Sequence, residues 1–393
     1  MMRILGPVLT AHYLAAFTAL GLPIFMPRVL AELAPGAPDW LVGVLYVLPT
    51  ICTALTASRW GRFADRYGRK LSLMRAQVGL AIGFVLAGLA PNLWVFVLGL
   101  IVQGTCGGSM AAANAYLSTQ SQGAALSRSL DWTQFSARLA MVSAPPLLGL
   151  MTGAGQTLQL YLYLAALPVL ALAITWWLPT DTIAAKPGAG PAPGTAVAPA
   201  DNRRELFGLF GVQFLFCFAM VVTFPYFISY SEQLGVGSDS MAGLLYSLPH
   251  LVYLVAMPWL RARQTASQRR LFGGLFLLAL ACALHGLLRS AEWLAPVRVL
   301  YGAGMLLSFS GINRALSECA SGRAAGRLFG SFDACGKWAG ALAGVCAGAL
   351  VHRYGVAMPF FVAAAVSALA LSLAAYTFRS IPQRQRYVAT NDA

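Results

Sequence analysis

Charged side chains inside long apolar segments are the residues of this chain best suited to chemistry, because a charge in hydrocarbon is costly to keep. Arg138 and Lys337 lie inside such segments, about 12 and about 14 Å from their starts at about 1.5 Å per helical residue. Two cations at this depth, facing one cavity, would bind an anionic or electron-rich molecule. Asp333, four residues before Lys337, could instead neutralise it, and Asp131 could do the same less well for Arg138. Both interpretations stay open.

Three residues are candidates for proton coupling, because each could take up and release a proton: Asp333, His250 and Asp131. A carboxylate beside a lysine, as in Asp333 beside Lys337, can exchange a proton when either partner moves. His250 lies about 14 Å into its segment. Its imidazole could titrate near neutral pH, or it could be a neutral hydrogen-bonding group. His12 is a weaker candidate.

Three further polar residues could contact a bound molecule. Arg298 lies about 8 Å into its apolar segment, so its charge too would sit at membrane depth. Asn114 and Asn313 are amides inside apolar segments, where they could line a cavity or pack between helices. The predicted substrate-binding residues are therefore Arg138, Lys337, Arg298, Asn114 and Asn313.

The sequence has no pattern typical of an enzyme or a metal site. Its four histidines lie in separate segments, and its seven cysteines show no CxxC or other ligand spacing. HExxH, GxSxG and paired-carboxylate patterns are missing from the sequence as well. A membrane-embedded enzyme is the least favoured class, and we expect neither a metal nor a cofactor.

Composition predicts a membrane protein. Of the 393 residues, 58% are hydrophobic and only 10% are charged, whereas about a quarter of the residues in a soluble domain are charged. The net charge of +14 could suggest a nucleic-acid partner, but the cations fall between apolar runs and not on a polar domain. The expected partners are the lipid bilayer and a small molecule, and not nucleic acid.

Twelve segments of the chain are long enough to span a membrane, which takes about 20 apolar residues. They cover residues 5–27, 41–59, 71–90, 93–116, 130–152, 159–178, 206–229, 241–260, 271–289, 293–315, 328–350 and 356–378. With a cytoplasmic N-terminus, twenty Lys and Arg fall inside and three outside, as the positive-inside rule requires. We predict an all-α integral membrane protein of twelve helices with both termini in the cytoplasm.

The chain divides into two similar halves. A Pro-, Gly- and Ala-rich stretch predicts a flexible cytoplasmic linker. The expected units are a six-helix bundle at 1–178, the linker at 179–205, a second six-helix bundle at 206–378 and a cytoplasmic tail at 379–393. Gly43-Val-Leu-Tyr-Val-Leu-Pro49 recurs 200 residues later as Gly243-Leu-Leu-Tyr-Ser-Leu-Pro249. Similarity at a near-constant offset indicates a parallel duplication, in which Arg138 and Lys337 are equivalents.

The loop between the second and third segments contains Gly61, Asp65, Arg66, Gly68, Arg69 and Lys70. A glycine allows another backbone to approach closely, and Asp65 is suited to accept from an arginine or to face a helix N-terminus. The pattern resembles the signature loop of the major facilitator superfamily. The resemblance implies that Gly61, Asp65, Arg66, Gly68 and Arg69 latch the cytoplasmic side during alternating access.

Two shorter stretches resemble motifs of the proton-antiporter efflux branch of that family. Gln103-Gly104 matches the end of the helix 4 motif Arg-x-x-Gln-Gly, with Leu100 in place of its arginine, and Arg298 begins a similar stretch in the second half. Pro145 and Gly149 match part of the motif Gly-Pro-x-x-Gly-Gly, which marks exporters in the family.

The resemblance implies a secondary active transporter, driven by a proton gradient and working as a monomer. We expect a bacterial inner membrane as its location. The basic cavity and the exporter motifs favour export of a small anionic molecule such as a siderophore or a drug. A proton-symport importer of an organic anion or siderophore is the alternative, because the fold runs in either direction.

Overall fold

The computed structural model describes residues 2–121, 123–152, 156–180, 200–263, 265–319 and 325–379. All regular elements within these ranges are helices. The first half contains α1 (Met2–Gly21), α2 (Met26–Leu33), α3 (Trp40–Tyr67), α4 (Arg69–Gly88), α5 (Leu93–Thr105), α6 (Ser109–Gln120), α7 (Gly123–Gly149), α8 (Thr157–Leu164) and α9 (Ala166–Trp176). The second half contains α10 (Ala200–Val221), α11 (Phe227–Gln233), α12 (Asp239–Ala262), α13 (Ser267–Leu287), α14 (Leu294–Cys319), α15 (Ala325–Tyr354) and α16 (Met358–Arg379). Short 3₁₀ turns at Pro23–Phe25 and Ala291–Trp293 precede α2 and α14.

The all-α membrane architecture predicted from the sequence is confirmed. Within the described ranges, eleven helical segments are long and apolar enough to cross a membrane. The predicted fifth segment is not among them: α7 has 27 residues but carries polar side chains such as Asp131, Gln134 and Arg138. It packs against α1 of its own half and α12 of the other half.

The predicted boundaries around the signature loop were wrong. Helix α3 continues to Tyr67 and α4 begins at Arg69, so only Gly68 leaves the helical conformation. Alanine and arginine are good helix formers, whereas Gly68 has a φ of 101°, which glycine adopts without strain. The predicted linker lies outside the described residues between 181 and 199, and the tail from 380 onward. Helix α10 begins at Ala200, inside the range expected for the linker.

The two halves meet closely at two helix crossings on the side away from Gly68. At the α3–α15 crossing, a Cβ atom on Gly43 would lie 2.2 Å from the carbonyl oxygen of Gly344. At the α7–α12 crossing, a Cβ atom on Gly243 would lie 2.4 Å from the carbonyl oxygen of Pro145. Only glycine permits this approach. Because Gly43 and Gly243 are equivalents in the duplication, this end of the bundle follows its pseudo-twofold symmetry.

Polar contacts also join the two halves at the end away from Gly68. Arg28 of the first half donates to both carboxylate oxygens of Asp239, at 3.2 and 3.0 Å, and lies 3.0 Å from Glu232. Thr152 also donates to Asp239, at 2.9 Å. We call this end the closed end and the end that carries Gly68 the open end.

Candidate functional site: a cavity between the halves

A cavity of about 1420 Å³ lies between the two halves and extends from the open end. Its mouth is formed by helix ends, with Gly61 near the end of α3, Arg128 near the start of α7 and Arg261 near the end of α12. It reaches Tyr253 and Phe309, which lie in the middle of α12 and α14. The bundle is therefore shaped to receive a molecule from the open end.

Aromatic and apolar side chains form much of the cavity wall. Rings come from Trp60, Trp132, Phe135, Tyr253, Phe309, Phe329 and Phe332, and sulfur-containing side chains from Met110 and Met257. The rings of Trp132 and Phe135 meet edge to face with centroids 5.3 Å apart. Such a wall suits a molecule with a flat or apolar part, and methionine lets it adapt to different shapes.

Four cations and two carboxylates also line the cavity: Arg75, Arg128, Arg261, Lys337, Asp131 and Asp333. Asp333 lies 2.8 Å from Lys337, one turn later on the same helix, so the pairing considered from the sequence is present. Asp131 pairs with Arg261 across the two halves at 3.2 Å, and not with Arg138. No group of three His, Cys, Asp or Glu within the described ranges could hold a metal ion.

Arg138 lies behind the cavity wall. Its Nη1 atom is 2.9 Å from Nδ1 of His250, which belongs to α12 in the other half. Its guanidinium lies 4.5 Å from the ring centroid of Tyr253 and 5.5 Å from that of Phe309. Both rings line the cavity and attract the cation through their faces. The structure thus brings together a predicted substrate cation and a predicted proton carrier beneath an aromatic cover.

The two asparagines predicted to bind substrate both line the cavity. Asn114 accepts a hydrogen bond from the Thr133 hydroxyl at 2.7 Å through Oδ1, which fixes the orientation of its amide. Asn313 stands at the equivalent region of the second half. Their role in binding stays a prediction.

Arg298 is separated from the cavity in this conformation. Its side chain is only 1% exposed and does not line the cavity. Its Nε and Nη2 atoms donate to the backbone carbonyls of Leu245 and Tyr246 at 3.0 and 2.7 Å. The rings of Phe227 and Tyr301 pack over its guanidinium at 4.4 and 5.0 Å. Here Arg298 contacts protein backbone and not a solvent-filled space.

The predicted latch residues lie at the open end. Gly61 borders the cavity mouth, and Asp65 lies 3.8 Å from Arg69 one turn later. Arg69 also donates to the Ser118 hydroxyl at 2.6 Å, near the end of α6. Arg66 lies over the ring of Tyr67 at 5.2 Å. These contacts are within the first half, and the latch role itself stays a prediction.

Neighbouring cations of the first half bind the carbonyl ends of helices. Lys70 donates to the carbonyls of Trp176 and Leu178 at 2.8 and 2.6 Å, where α9 ends. Arg75 donates to the carbonyls of Cys106 and Gly107 at 2.6 and 3.0 Å, where α5 ends. Positive charge is favourable there because terminal carbonyls lack helical donors.

Sequence analysis missed three residues at this site. Tyr253 follows His250 by three positions and so shares its helix face, a signal that could have identified it. Phe309 comes from another helix, and no sequence pattern places it over Arg138. Arg261 was counted only as a charge that sets membrane orientation, because its partner Asp131 lies in the other half.

Two helical halves around a cavity that is open at one end and closed at the other define a class of membrane transporter that works by alternating access. The chain belongs to the Major Facilitator Superfamily, whose family model matches residues 4–344. It is therefore a transporter and not an enzyme.

Two curated relatives and one solved structure illustrate the similarity. Multidrug resistance protein MdtG of Dickeya zeae (strain Ech586) is 26% identical over 331 residues, which cover 82% of this chain and 81% of that protein. MdtG of Escherichia coli (strain K12 / DH10B) is 35% identical over 99 residues, 25% of this chain and 24% of that protein. The D-xylose-proton symporter matches with a TM-score of 0.78 at 16% identity, over 97% of this chain and 98% of that one. The structural match concerns the fold alone.

Proposed function

We propose that this chain exports a small amphipathic anion from the cytoplasm and couples that export to proton entry. In this proposal it acts as a monomer in a bacterial inner membrane, with both termini and the open end on the cytoplasmic side. A siderophore with carboxylate or hydroxamate groups, or an anionic drug, has the required chemistry.

The charge of the cavity wall carries the proposal. Both carboxylates, Asp131 and Asp333, are already balanced by a cation within an ion pair. Arg75 and Arg128 add positive charge, and neither forms an ion pair with a described carboxylate. A cleft with one sign of charge and apolar walls concentrates ligands of the opposite sign. The rings beside these charges supply contacts for the apolar part of the cargo.

The cation that would bind the anion most deeply is Arg138. Rotation of the Tyr253 and Phe309 rings would bring its guanidinium into the cavity, where a carboxylate could replace the His250 nitrogen as hydrogen-bond acceptor. A charged pair of this type is stronger than a bond to neutral imidazole. Lys337 would hold the same anion from the opposite half.

Two observations support export. The curated relatives are named multidrug resistance proteins, and the cavity opens at the end that the positive-inside rule assigns to the cytoplasm.

Proton-symport import is the second candidate, and the contact between Arg138 and His250 favours it. An anion that takes Arg138 would leave the His250 nitrogen free, and a proton there would in turn favour the bound anion. Binding of an anion and a proton together is the chemistry of symport.

The test is transport in membrane vesicles of both orientations. Inverted vesicles energised by a proton gradient would receive an anionic siderophore or a cationic dye, with wild type, Arg138→Ala and a control. The control is Arg353→Ala, because Arg353 is exposed near the end of α15, away from the cavity. We expect gradient-dependent accumulation of unaltered anion by wild type and the control, and its loss in Arg138→Ala.

Other outcomes contradict parts of the proposal. Accumulation of the dye alone would exclude the anion as cargo. Anion uptake only by right-side-out vesicles, driven by a proton gradient directed inward, would establish import.

A further inference from the structure

Helix α12 carries Pro249 near its middle. Proline has no backbone N–H, so the carbonyl of Leu245 four residues earlier loses its helical donor. An unpaired carbonyl in an apolar interior costs free energy. Arg298 of α14 supplies the missing donor: its Nε bonds to Leu245 at 3.0 Å and its Nη2 to the next carbonyl, Tyr246, at 2.7 Å.

Arg298 is an unusual donor for this purpose, because its charge is buried without a counterion. Within the described ranges it forms no ion pair, and its Nη1 atom has no hydrogen-bond partner. Rings of Phe227, Tyr246 and Tyr301 surround the guanidinium. A buried cation held by carbonyls and rings is costly compared with a well-packed apolar residue. The stability of the bundle alone does not account for it.

The residue that follows Pro249, His250, suggests what Arg298 does. His250 follows Pro249 directly, and its Nδ1 atom lies 2.9 Å from Nη1 of Arg138 in the other half. Because proline perturbs a helix locally, the course of α12 at Pro249 decides where the imidazole lies relative to the guanidinium. We propose that Arg298 is a positioning residue that fixes the course of α12 at Pro249 and thereby presents His250 to Arg138 as a proton-sensitive contact between the halves. This inference rests on the proposed proton-coupled transport.

The contact can exist in only one protonation state of His250. Neutral imidazole accepts from Arg138 through Nδ1, whereas a protonated imidazole has no lone pair there and repels the guanidinium. The charged groups near His250 are Arg138 of α7 and Arg298 of α14, and on α12 the ring of Tyr246 lies 6.1 Å away. The third helix packed on α12 is α11, whose charged residue Glu232 pairs with Arg28 at the closed end.

Protonation of His250 thus removes one tie between α7 and α12, and proton release restores it. In an alternating-access transporter, a tie across the halves in one state shifts the balance between states. Arg298 acts through His250 and touches neither the cargo nor the proton.

The first half lacks such a positioning residue. Helix α3 carries Pro49 at the position equivalent to Pro249, but the residue equivalent to Arg298 is Leu100. The equivalent of His250 is Thr50, which cannot titrate near neutral pH. The arginine and the histidine therefore occur together in one half and are both replaced in the other.

The contact of Arg298 with the carbonyls of Leu245 and Tyr246, which we call the clamp, can be tested without transport by a double-mutant cycle on stability. The variants are Arg298→Met, Pro249→Ala and the double variant, compared by thermal unfolding in lipid nanodiscs. Pro249→Ala restores an N–H for the Leu245 carbonyl, so we expect Arg298→Met to lower the midpoint less in the Pro249→Ala background than in wild type. Arg270→Met is the matched control, because Arg270 also donates to a carbonyl of α12 but near its end, at Leu260. Its effect should add to that of Pro249→Ala. If the effects of Arg298→Met and Pro249→Ala on the midpoint simply add, Arg298 does not replace the donor that Pro249 removes, and the clamp is refuted.

The second measurement reads the protonation of His250 directly. The chain has four histidines, so ¹⁵N-histidine spectra recorded over a range of pH can be assigned with His250→Gln. We expect the Nδ1 resonance of His250 to titrate at a different pH in Arg298→Lys, which keeps the charge but replaces the planar, rigid guanidinium fork with a single ammonium. An unchanged titration in Arg298→Lys would overturn the positioning role. If both measurements succeed and no cargo is transported, the proposed function fails and the clamp stands.

Discussion

The two halves share a backbone plan but distribute their charges differently. Both have a long helix with an equivalent internal proline, Pro49 in α3 and Pro249 in α12, and both contribute an equivalent glycine to the closed end. The cations predicted to lie near mid-membrane have different surroundings. Arg138 of the first half is covered by rings and bonded to a neutral histidine, whereas Lys337 of the second half lines the cavity and is paired with a carboxylate.

The helix ends at the open side differ as well. In the first half, Arg69, Lys70 and Arg75 bind groups at the ends of α6, α9 and α5. In the second half, Arg270 donates to two carbonyls at the end of α12, those of Leu260 and Arg263. Duplication therefore preserved the internal prolines and the close glycine crossings at the closed end. The charged side chains that bind helix ends and line the cavity diverged.

The largest effect is expected where the halves are equivalent. Gly43→Ala and Gly243→Ala each place a Cβ against a backbone carbonyl that cannot move aside. Overpacking costs about 1–3 kcal/mol, which corresponds to a roughly 5- to 150-fold change in the ratio of two states. We expect both variants to populate the state with these crossings closed less, as measured by distances between spin labels at the closed end.

Gly273→Ala is the matched control for these variants, because a Cβ there meets no atom within 4 Å. An effect of only one of Gly43→Ala and Gly243→Ala would show that the two crossings are not equivalent.

A smaller effect on stability is expected for the cations that bind helix ends, and it should differ between the two halves. Arg270 is 7% exposed and donates to Thr265 and Ser310 in addition to the two carbonyls. Arg270→Met should lower the free energy of unfolding by about 2 kcal/mol, and Lys70→Met by about 1 kcal/mol. Denaturant midpoints in detergent measure both. A larger loss for Lys70→Met would contradict this order.

The pair at Lys337 should affect cargo binding more than folding. Its side chain and that of Asp333 are 38% and 68% exposed, so the pair itself contributes only about 0.3–0.5 kcal/mol to stability. Lys337→Met should raise KM for the anion about tenfold, because a charged hydrogen bond is lost. Asp333→Asn should lower KM, because it frees Lys337. A change in the same direction for both variants would exclude Lys337 as a binding cation.

The smallest effect on stability is expected at the two carboxylates that contact Arg28 at the closed end, Glu232 and Asp239. Glu232→Gln removes an exposed partner of Arg28 and should change stability by less than about 0.5 kcal/mol. Asp239→Asn should cost more, because its carboxylate is 13% exposed and accepts from Arg28 and Thr152 across the halves. Thermal unfolding of the two variants side by side gives the comparison, and equal losses would contradict it.

Most of the fold could be predicted from the sequence, because hydrophobic length and the alternation of positive charge are local properties. The duplication was visible because Gly43 to Pro49 recurs at an almost constant offset. Much of the site was not predictable. Residue depth placed Arg138 and His250 near the same level, but their contact depends on how one half rotates against the other. The cover of Phe309 and the clamp of Arg298 likewise depend on neighbours from other helices.

The polarity of α7 has a consequence for how the protein is made. A helix that carries Arg138 and Asp131 is poorly suited to enter lipid alone, and α12, which contacts both side chains through His250 and Arg261, is synthesised later. Until then α1 is the neighbour that can receive it, and Ser136 of α7 donates to the Leu9 carbonyl of α1. We expect co-translational insertion of α7 to be incomplete in a truncated nascent chain that ends before α12. Its completion should coincide with the emergence of α12 from the ribosome, and full insertion of α7 on its own would refute this dependence.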